Sequence, residues 1–433
     1  MRCGVILGGA FLLSVVFPGF LQAASSIWAP PPLAEIIEEG MAQNQEIRSL
    51  EDQVAGQKEL IPFAGSLEDP RAGFAMLNVP TDTFSLSQEP MTQKQLFIAQ
   101  KIPWFGKLSL RSQRQALIAT RQQWLLEARK LELARHIAAS YYELGFNGRG
   151  LEINERLTNL VRELLQVAET RYAAGRGLQQ DVLEAQVELS NLLDEKIVLE
   201  RQRSVLEDRL NELLNREQFA PVTPPGRLRF PDLTFDAKAL QALSLERNPR
   251  LWGRRAEADQ AAVEIDLAKK EYWPDMDYKL AYGQRDKDFT GRDLPDFVTG
   301  SVTVNIPLWH KTRQDRQLEA ARKRSEAAAK SFRNLVAVLP HQVDSLVSEI
   351  RNFQENFRLY DGALVLQAEQ WARTSLAAYN VGKVEFDTMI RAQIRVLRFE
   401  LQGDRYLFTI YQKRAELEEI LGGPLPTQGS GDR

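Results

Sequence analysis

This chain contains the same structural unit twice, and that constrains its fold more than any other feature. Ile102-Pro103-Trp104-Phe105-Gly106-Lys107 recurs 204 residues later as Ile306-Pro307-Leu308-Trp309-His310-Lys311. The same offset relates Pro70 to Pro274 and Asn44 to Asn248. The word YAAGRGLQQDVLEAQ at 172–186 returns as YNVGKVEFDTMIRAQ at 379–393, 207 residues on. Ordered matches at a nearly constant spacing mark a duplication, so the chain must fold as two copies of one plan. Residues 24–218 make the first repeat and 237–421 the second. Between them, 219–236 holds Pro221, Pro224, Pro225, Gly226 and Pro231 and predicts a linker without regular structure. Residues 422–433 predict a helix stop and a disordered tail.

Each repeat runs in the same order. A helical stretch (33–60, 237–272) leads into a segment of strand character, then a very long helix, a glycine-containing turn and a second long helix. The long helices are expected at 107–172, 178–215, 312–379 and 385–421. Their apolar residues recur in coiled-coil spacing. Leu110, Leu117, Trp124, Leu131 and Ala138 lie seven apart, as do Ile394, Leu401, Phe408 and Ala415. Leu178, Val182, Ala185, Leu189 and Leu192 step by four and three. A continuous helix over 107–172 reaches on the order of 100 Å at 1.5 Å per residue, far beyond a globular helix. Pro340 predicts a kink or a redirection in the third long helix.

The strand segments are expected to form hairpins over 71–102 and 276–306, with loops near 81–89 and 286–296. Tyr278, Leu280 and Tyr282 alternate with polar or small residues, and Val298, Val302 and Val304 fall on one face of the last strand. These runs have the length of a tilted membrane-crossing strand with one side to lipid and one to water. Alternation alone also fits a soluble β-subdomain packed on helices. If the strands do cross a membrane, four are too few to close a barrel, and an open edge cannot sit in lipid. Several chains must then pool their strands.

Composition narrows the function. There are 58 acids against 55 bases, so no basic surface for nucleic acid is expected. Cys3 is the sole cysteine, and His136, His310 and His341 are far apart, so no dedicated metal or cofactor site is expected. No nucleophile motif for hydrolysis is present, and the chain reads as a non-enzyme. Arg2, the apolar run at 5–17 and Leu21-Gln22-Ala23-Ala24 predict an export signal over 1–23; the other reading is an uncleaved anchor. Cys3 precedes the apolar run, so it cannot be a lipid-attachment cysteine at the cleavage point.

Together the repeated words IPWFGK and YAAGRGLQQDVLEAQ and their placement resemble the TolC-type outer-membrane efflux protein family. The segment DPRAGFAMLNVPTDTFSLSQEPMTQKQLFIAQKIPWFGKLSLR at 69–111 resembles that family's heavy-metal efflux branch. This resemblance implies a mainly α fold with a small β part: a homotrimer whose twelve strands form an outer-membrane barrel above a periplasmic coiled-coil tunnel. It further implies a passive duct for metal cations or drugs, docked to a periplasmic adaptor and an inner-membrane RND-type pump. Val298, Val302, Val304, Tyr278, Leu280 and Tyr282 would face outer-membrane lipid. By the family's motif, Tyr379 and Asp181 would latch a periplasmic gate, with Glu184 and Asp387 beside them making it cation-favouring. Val384 stands where the family has a second, charged latch, so a weakly held gate is expected. The rival is a periplasmic coiled-coil adaptor or scaffold without a barrel.

Overall fold

The computed structural model describes residues 31–426 apart from Phe219, Asp232 and Phe289. The expected export signal and the end of the expected tail lie outside the described residues. The fold is mainly helical with one small antiparallel sheet, and each repeat follows the same element order. The first repeat comprises α1 (Pro31–Gln43), α2 (Gln45–Gly65), β1 (Arg71–Leu77), β2 (Gln93–Ile102), α3 (Lys107–Ala173) and α4 (Gln179–Leu214). The second comprises α5 (Ala237–Arg247), α6 (Pro249–Lys270), β3 (Met276–Gln284), β4 (Phe297–Val304), α7 (Gln314–Leu359), a π-turn (Tyr360–Leu364), α8 (Val365–Asn380) and α9 (Phe386–Leu421). Two compact units share these elements. Among the described residues no helix is long and apolar enough to cross a membrane.

One unit, Glu46–Arg129 with Pro249–Val338, holds the sheet, whose order is β1-β2-β3-β4 with every neighbour antiparallel. The central pairing, β2 on β3, joins the two repeats, from Ile102 opposite Met276 to Lys94 opposite Gln284. β1 stops at Leu77 because Asn78 turns into the left-handed region (φ 56). The Asn78 side chain donates to Met91 O, and the Thr92 hydroxyl donates to Asn78 O, closing the loop. β4 stops at Val304, and the next side chain, Asn305 Oδ1, accepts from Asp275 N.

The motif before α3 explains itself physically. Gly106 takes φ +85, which lets the chain turn sharply into the helix at Lys107. Lys107 is 1% exposed. Its ammonium donates to Asp275 (2.8 Å), Glu271 (3.4 Å) and Trp273 O (3.3 Å). Trp104 stacks on Trp273 at 5.0 Å and donates its backbone N–H to Asp275. In the second repeat His310 replaces the glycine. The chain makes a turn over 308–313, and α7 starts at Gln314, two residues after the expected position.

The other unit, 31–45, 130–248 and 339–426 as described, is helical. Its first core cluster runs along α3 through Leu157, Val161, Leu164 and Ala168, at three–four spacing, against Ala185, Leu192, Met389 and Ile390. The sevenfold series expected on α3 lies beside the most buried positions: Leu131 is half-buried, whereas Leu133, Ile137 and Tyr141 are buried. Three cation–carboxylate pairs tie α3 to α9: Arg135–Glu419, Arg149–Asp404 and Arg156–Glu400. Asn44 and Asn248 break the expected helical stretches, and each donates its amide to the end of a long helix. Asn44 reaches Leu213 O (3.1 Å) and Asn248 reaches Ile420 O (2.8 Å), positions 207 apart.

Two elements show more than was expected. The third long helix keeps its helical pattern through Pro340, and a π-turn at Tyr360–Leu364 interrupts it further on. The linker has no helix or strand among its described residues, but it is packed rather than free. Phe230 stacks on Phe357 at 4.9 Å, Gln354 donates to Pro231 O and Leu233 O, and Tyr411 donates to Arg229 O.

Candidate functional site

Two sites matter, one in each unit. The first is a face of the sheet. Register puts Tyr278 opposite Val302 and Tyr282 opposite Val298, and Leu280 faces Gly300. Val304 falls opposite Met276. Side chains alternate along a strand, so all of these share one face, and all but Met276 are exposed. Composition at period two in the first repeat extends that face. Leu96 lies opposite Tyr282 and Ile98 opposite Leu280, while Phe74 lies opposite Leu96. Phe74 and Leu96 are 58% and 61% exposed. The sequence pattern singled out no residue of this face in β1 and β2, because Gln100, Lys94 and Ala72 dilute the alternation.

The opposite face is mostly polar or small, with Leu77, Phe97 and Phe297 as its large apolar residues. Lys279 lies over the Phe97 ring at 4.1 Å, Arg71 pairs with Asp277, and Thr299, Ser301 and Thr303 line β4. Gly73 is needed under Phe97, because a Cβ there would stand 2.4 Å from the ring. Beyond one end of the strands, Phe105 and Trp309, equivalent positions of the two repeats, are both exposed. The loop after β3 is ordered by Asp288, which accepts from Thr290 N and Arg292 N around Gly291.

The second site is formed by the two repeat turns. Gly175 and Gly382, 207 apart, take φ +70 and +74. Arg176 N donates to Arg171 O, and Lys383 N donates to Ala378 O, closing both turns alike. The tyrosines that open the two words differ. Tyr172 is 49% exposed, while Tyr379 is 6% exposed and packs edge-on against Phe386 at 5.7 Å. Burial, then the charge of the Asp181 carboxylate, raises the Tyr379 phenol, and the Arg171 guanidinium opposes that shift.

Arg171 completes the cluster. Its guanidinium lies 4.4 Å from the Tyr379 ring centre and donates to Tyr379 O at 3.2 Å. Glu184 is pushed up mainly by burial; Arg391 opposes this, and Asp181, Glu188 and Glu385 add to it. Asp387 is held by Arg391 one helical turn on. Thus Tyr379 sits against Arg171 and Phe386 with the Asp181 charge acting on its phenol, and Asp387 is paired with a cation. Val384, where a charged latch was expected to be missing, packs against the apolar cluster. Arg171 was missed because its equivalent in the second repeat is Ala378, so the repeat comparison carries no signal there. Among the described residues there is no group of three or more His, Cys, Asp or Glu able to hold a metal ion.

A family model described as outer membrane efflux protein matches residues 240–423. The chain is similar to the fusaric acid resistance protein FusA of Burkholderia cepacia, 27% identical over 208 residues, covering 45% of this chain and 38% of that one. It is also similar to the outer membrane protein TolC of Vibrio cholerae, 23% identical over 264 residues, 58% of each. The match therefore spans less than two thirds of either relative's length. The crystal structure of the outer membrane protein VceC from Vibrio cholerae shares the fold at a TM-score of 0.77 and 18% identity, over 91% of this chain and 97% of that one.

Proposed function

The chain belongs to the TolC-type outer-membrane efflux protein family, and from that premise we propose that three copies build the exit duct of a tripartite efflux system. Its family consists of channel proteins rather than enzymes. The observation that carries the proposal is the sheet: four strands, two open edges and an exposed apolar face. Lipid covers such a face at no cost, whereas water does not. Neighbouring copies must cover the edges, and three copies close twelve strands.

The chain does no chemistry. Its polar sheet face suits a water-filled lumen, and a periplasmic adaptor with an inner-membrane RND-type pump supplies solute and energy. Residues 1–23 direct export. Metal cations remain one cargo, from the resemblance of 69–111; a relative named for fusaric acid resistance favours organic solutes as well. Tyr379, Asp181, Glu184 and Asp387 form the periplasmic constriction, with Arg391 tempering its preference for cations. The adaptor reading lacks any role for an exposed strand face placed between matching helices.

Fractionation tests the duct. The protein is expected in outer membranes, running as a trimer on unheated gels, with its deletion sensitising cells that retain the pump. A soluble periplasmic monomer would sink the reading.

A further inference from the structure

The two halves of this chain are joined in the sheet by β2 on β3, and the free edges are β1 and β4. We propose that copies join by repeating that internal contact: β4 pairs with β1 of the next copy so that Val302 lies opposite Phe74, and Lys311 seats on the next copy's Asp69. This rests on the assembly reading above and adds its register and its anchor.

The register follows from the duplication. The motif at Ile102 and Ile306 maps β2 onto β4 with an offset of 204, so Ala99 corresponds to Thr303. Ala99 is opposite Arg71, and Thr303 is opposite Asp277. The hairpins therefore map Arg71 onto Asp277, and Asp69 onto Asp275, two residues beyond the spacing of Pro70 and Pro274. Carrying the β2–β3 register across, Ile98 opposite Leu280 becomes Val302 opposite Phe74. Phe97 opposite Ala281 becomes Ser301 opposite Ala75. The exposed apolar face then continues from copy to copy, because the parity of the pairing is kept.

The anchor decides between registers. Inside the chain, Lys107 is buried on Asp275 beside the Trp104–Trp273 stack. Its equivalent, Lys311, is exposed and makes no ion pair among the described residues, and the same holds for Asp69. Exposed Leu308 and Leu67 stand where the stacked tryptophans stand. If the proline spacing governed instead, Lys311 would meet Arg71, a like charge.

The helices carry the same signature. Leu193 and Ile197 on α4 are exposed where α9 presents Glu400 and Asp404 to arginines of α3. The positions equivalent to those arginines are Ala363 and Asn356, flanked by exposed Leu359 and Leu366. The contact between copies is thus apolar where the internal one is ionic.

Cysteine pairs in the full chain, with Cys3→Ser as background, test the register in outer membranes. Ser301→Cys with Ala75→Cys is expected to yield, on oxidation, a covalent trimer that survives heating, and Ser301→Cys with Leu77→Cys is not. Preferential linking of the second pair overturns the register while leaving assembly intact, as does failure of both pairs in a parent that runs as a trimer. A monomeric parent overturns the assembly reading itself. For the anchor, Lys311→Asp is expected to lower the temperature at which the trimer dissociates, and adding Asp69→Lys to restore it. A double variant no more stable than Lys311→Asp overturns the anchor.

Discussion

Tyr172 and Tyr379 occupy equivalent places in two nearly identical turns, yet only Tyr379 is buried. The difference comes from the residue seven positions on, Gln179 in one repeat and Phe386 in the other. Phe386 gives the second tyrosine an edge to pack on, and the charge of Asp181 acts on its phenol. Tyr379→Phe keeps that packing and removes the donor; a hydrogen bond to a charged partner is worth roughly 1.5–3 kcal/mol. Both Tyr379→Phe and Asp181→Ala are expected to raise single-channel conductance in planar bilayers, and Asp181→Ala to weaken block by trivalent cations. Unchanged conductance in both would place the constriction elsewhere. Glu184 adds a pH dependence. Its pKa is raised by burial, so the ordered turn favours the protonated form, is most stable below the ordinary carboxylate pKa, and loses that stability as pH rises through the raised one. Acidification from neutral pH is expected to lower conductance, and Glu184→Gln to flatten the titration; equal pH slopes in parent and variant would count against it. Tyr379, Asp181, Glu184 and Asp387 could be picked out from the repeated word, but Arg171 could not. Arg391 lies inside the second word as the counterpart of Glu184, so its pairing with Asp387 follows from helix geometry alone, while Arg171 precedes the first word and has no repeat counterpart of like charge.

At the scale of elements, periodicity was the informative signal. Period two marked β3 and β4, and three–four spacing with few glycines or prolines marked the long helices. Their ends were less legible, because they depend on single backbone conformations: Asn78 in the left-handed region, Gly106 where the second repeat has His310, and a π-turn with no proline to announce it. Pro340 was the visible breaker, yet the helical pattern is unbroken there. The strand assignment has a direct consequence. Val302 faces the apolar side opposite Tyr278, so Val302→Arg should cost about 2–4 kcal/mol per copy if that side meets the bilayer midplane. Assembly on unheated gels is expected to fail, and normal assembly would mean Val302 does not face lipid. The loop after β3 is best probed at Asp293, since Asp288 holds the loop together. A cysteine at Asp293 should react with an impermeant thiol reagent on intact cells, and labelling only after the outer membrane is broken would reverse the topology.

For the molecule as a whole, the two units differ in what they can sustain alone. The helical unit has buried cores, a packed linker and ionic ties within a single chain. The sheet of the other unit has four strands, an apolar face left exposed and both edges unpaired. Three or more strands need one covered apolar face to be stable in water, and this sheet's exposed face has no cover among the described residues. If lipid and neighbouring copies supply that cover, as proposed, oligomerisation and strand formation should be one event. In detergent, heating is expected to abolish the trimer band and the strand signal in circular dichroism at the same temperature, while much of the helical signal persists to a higher one. Monomers that keep a full strand signal would show that the sheet stands without its neighbours, and the argument for a pooled barrel from open edges would fall with it.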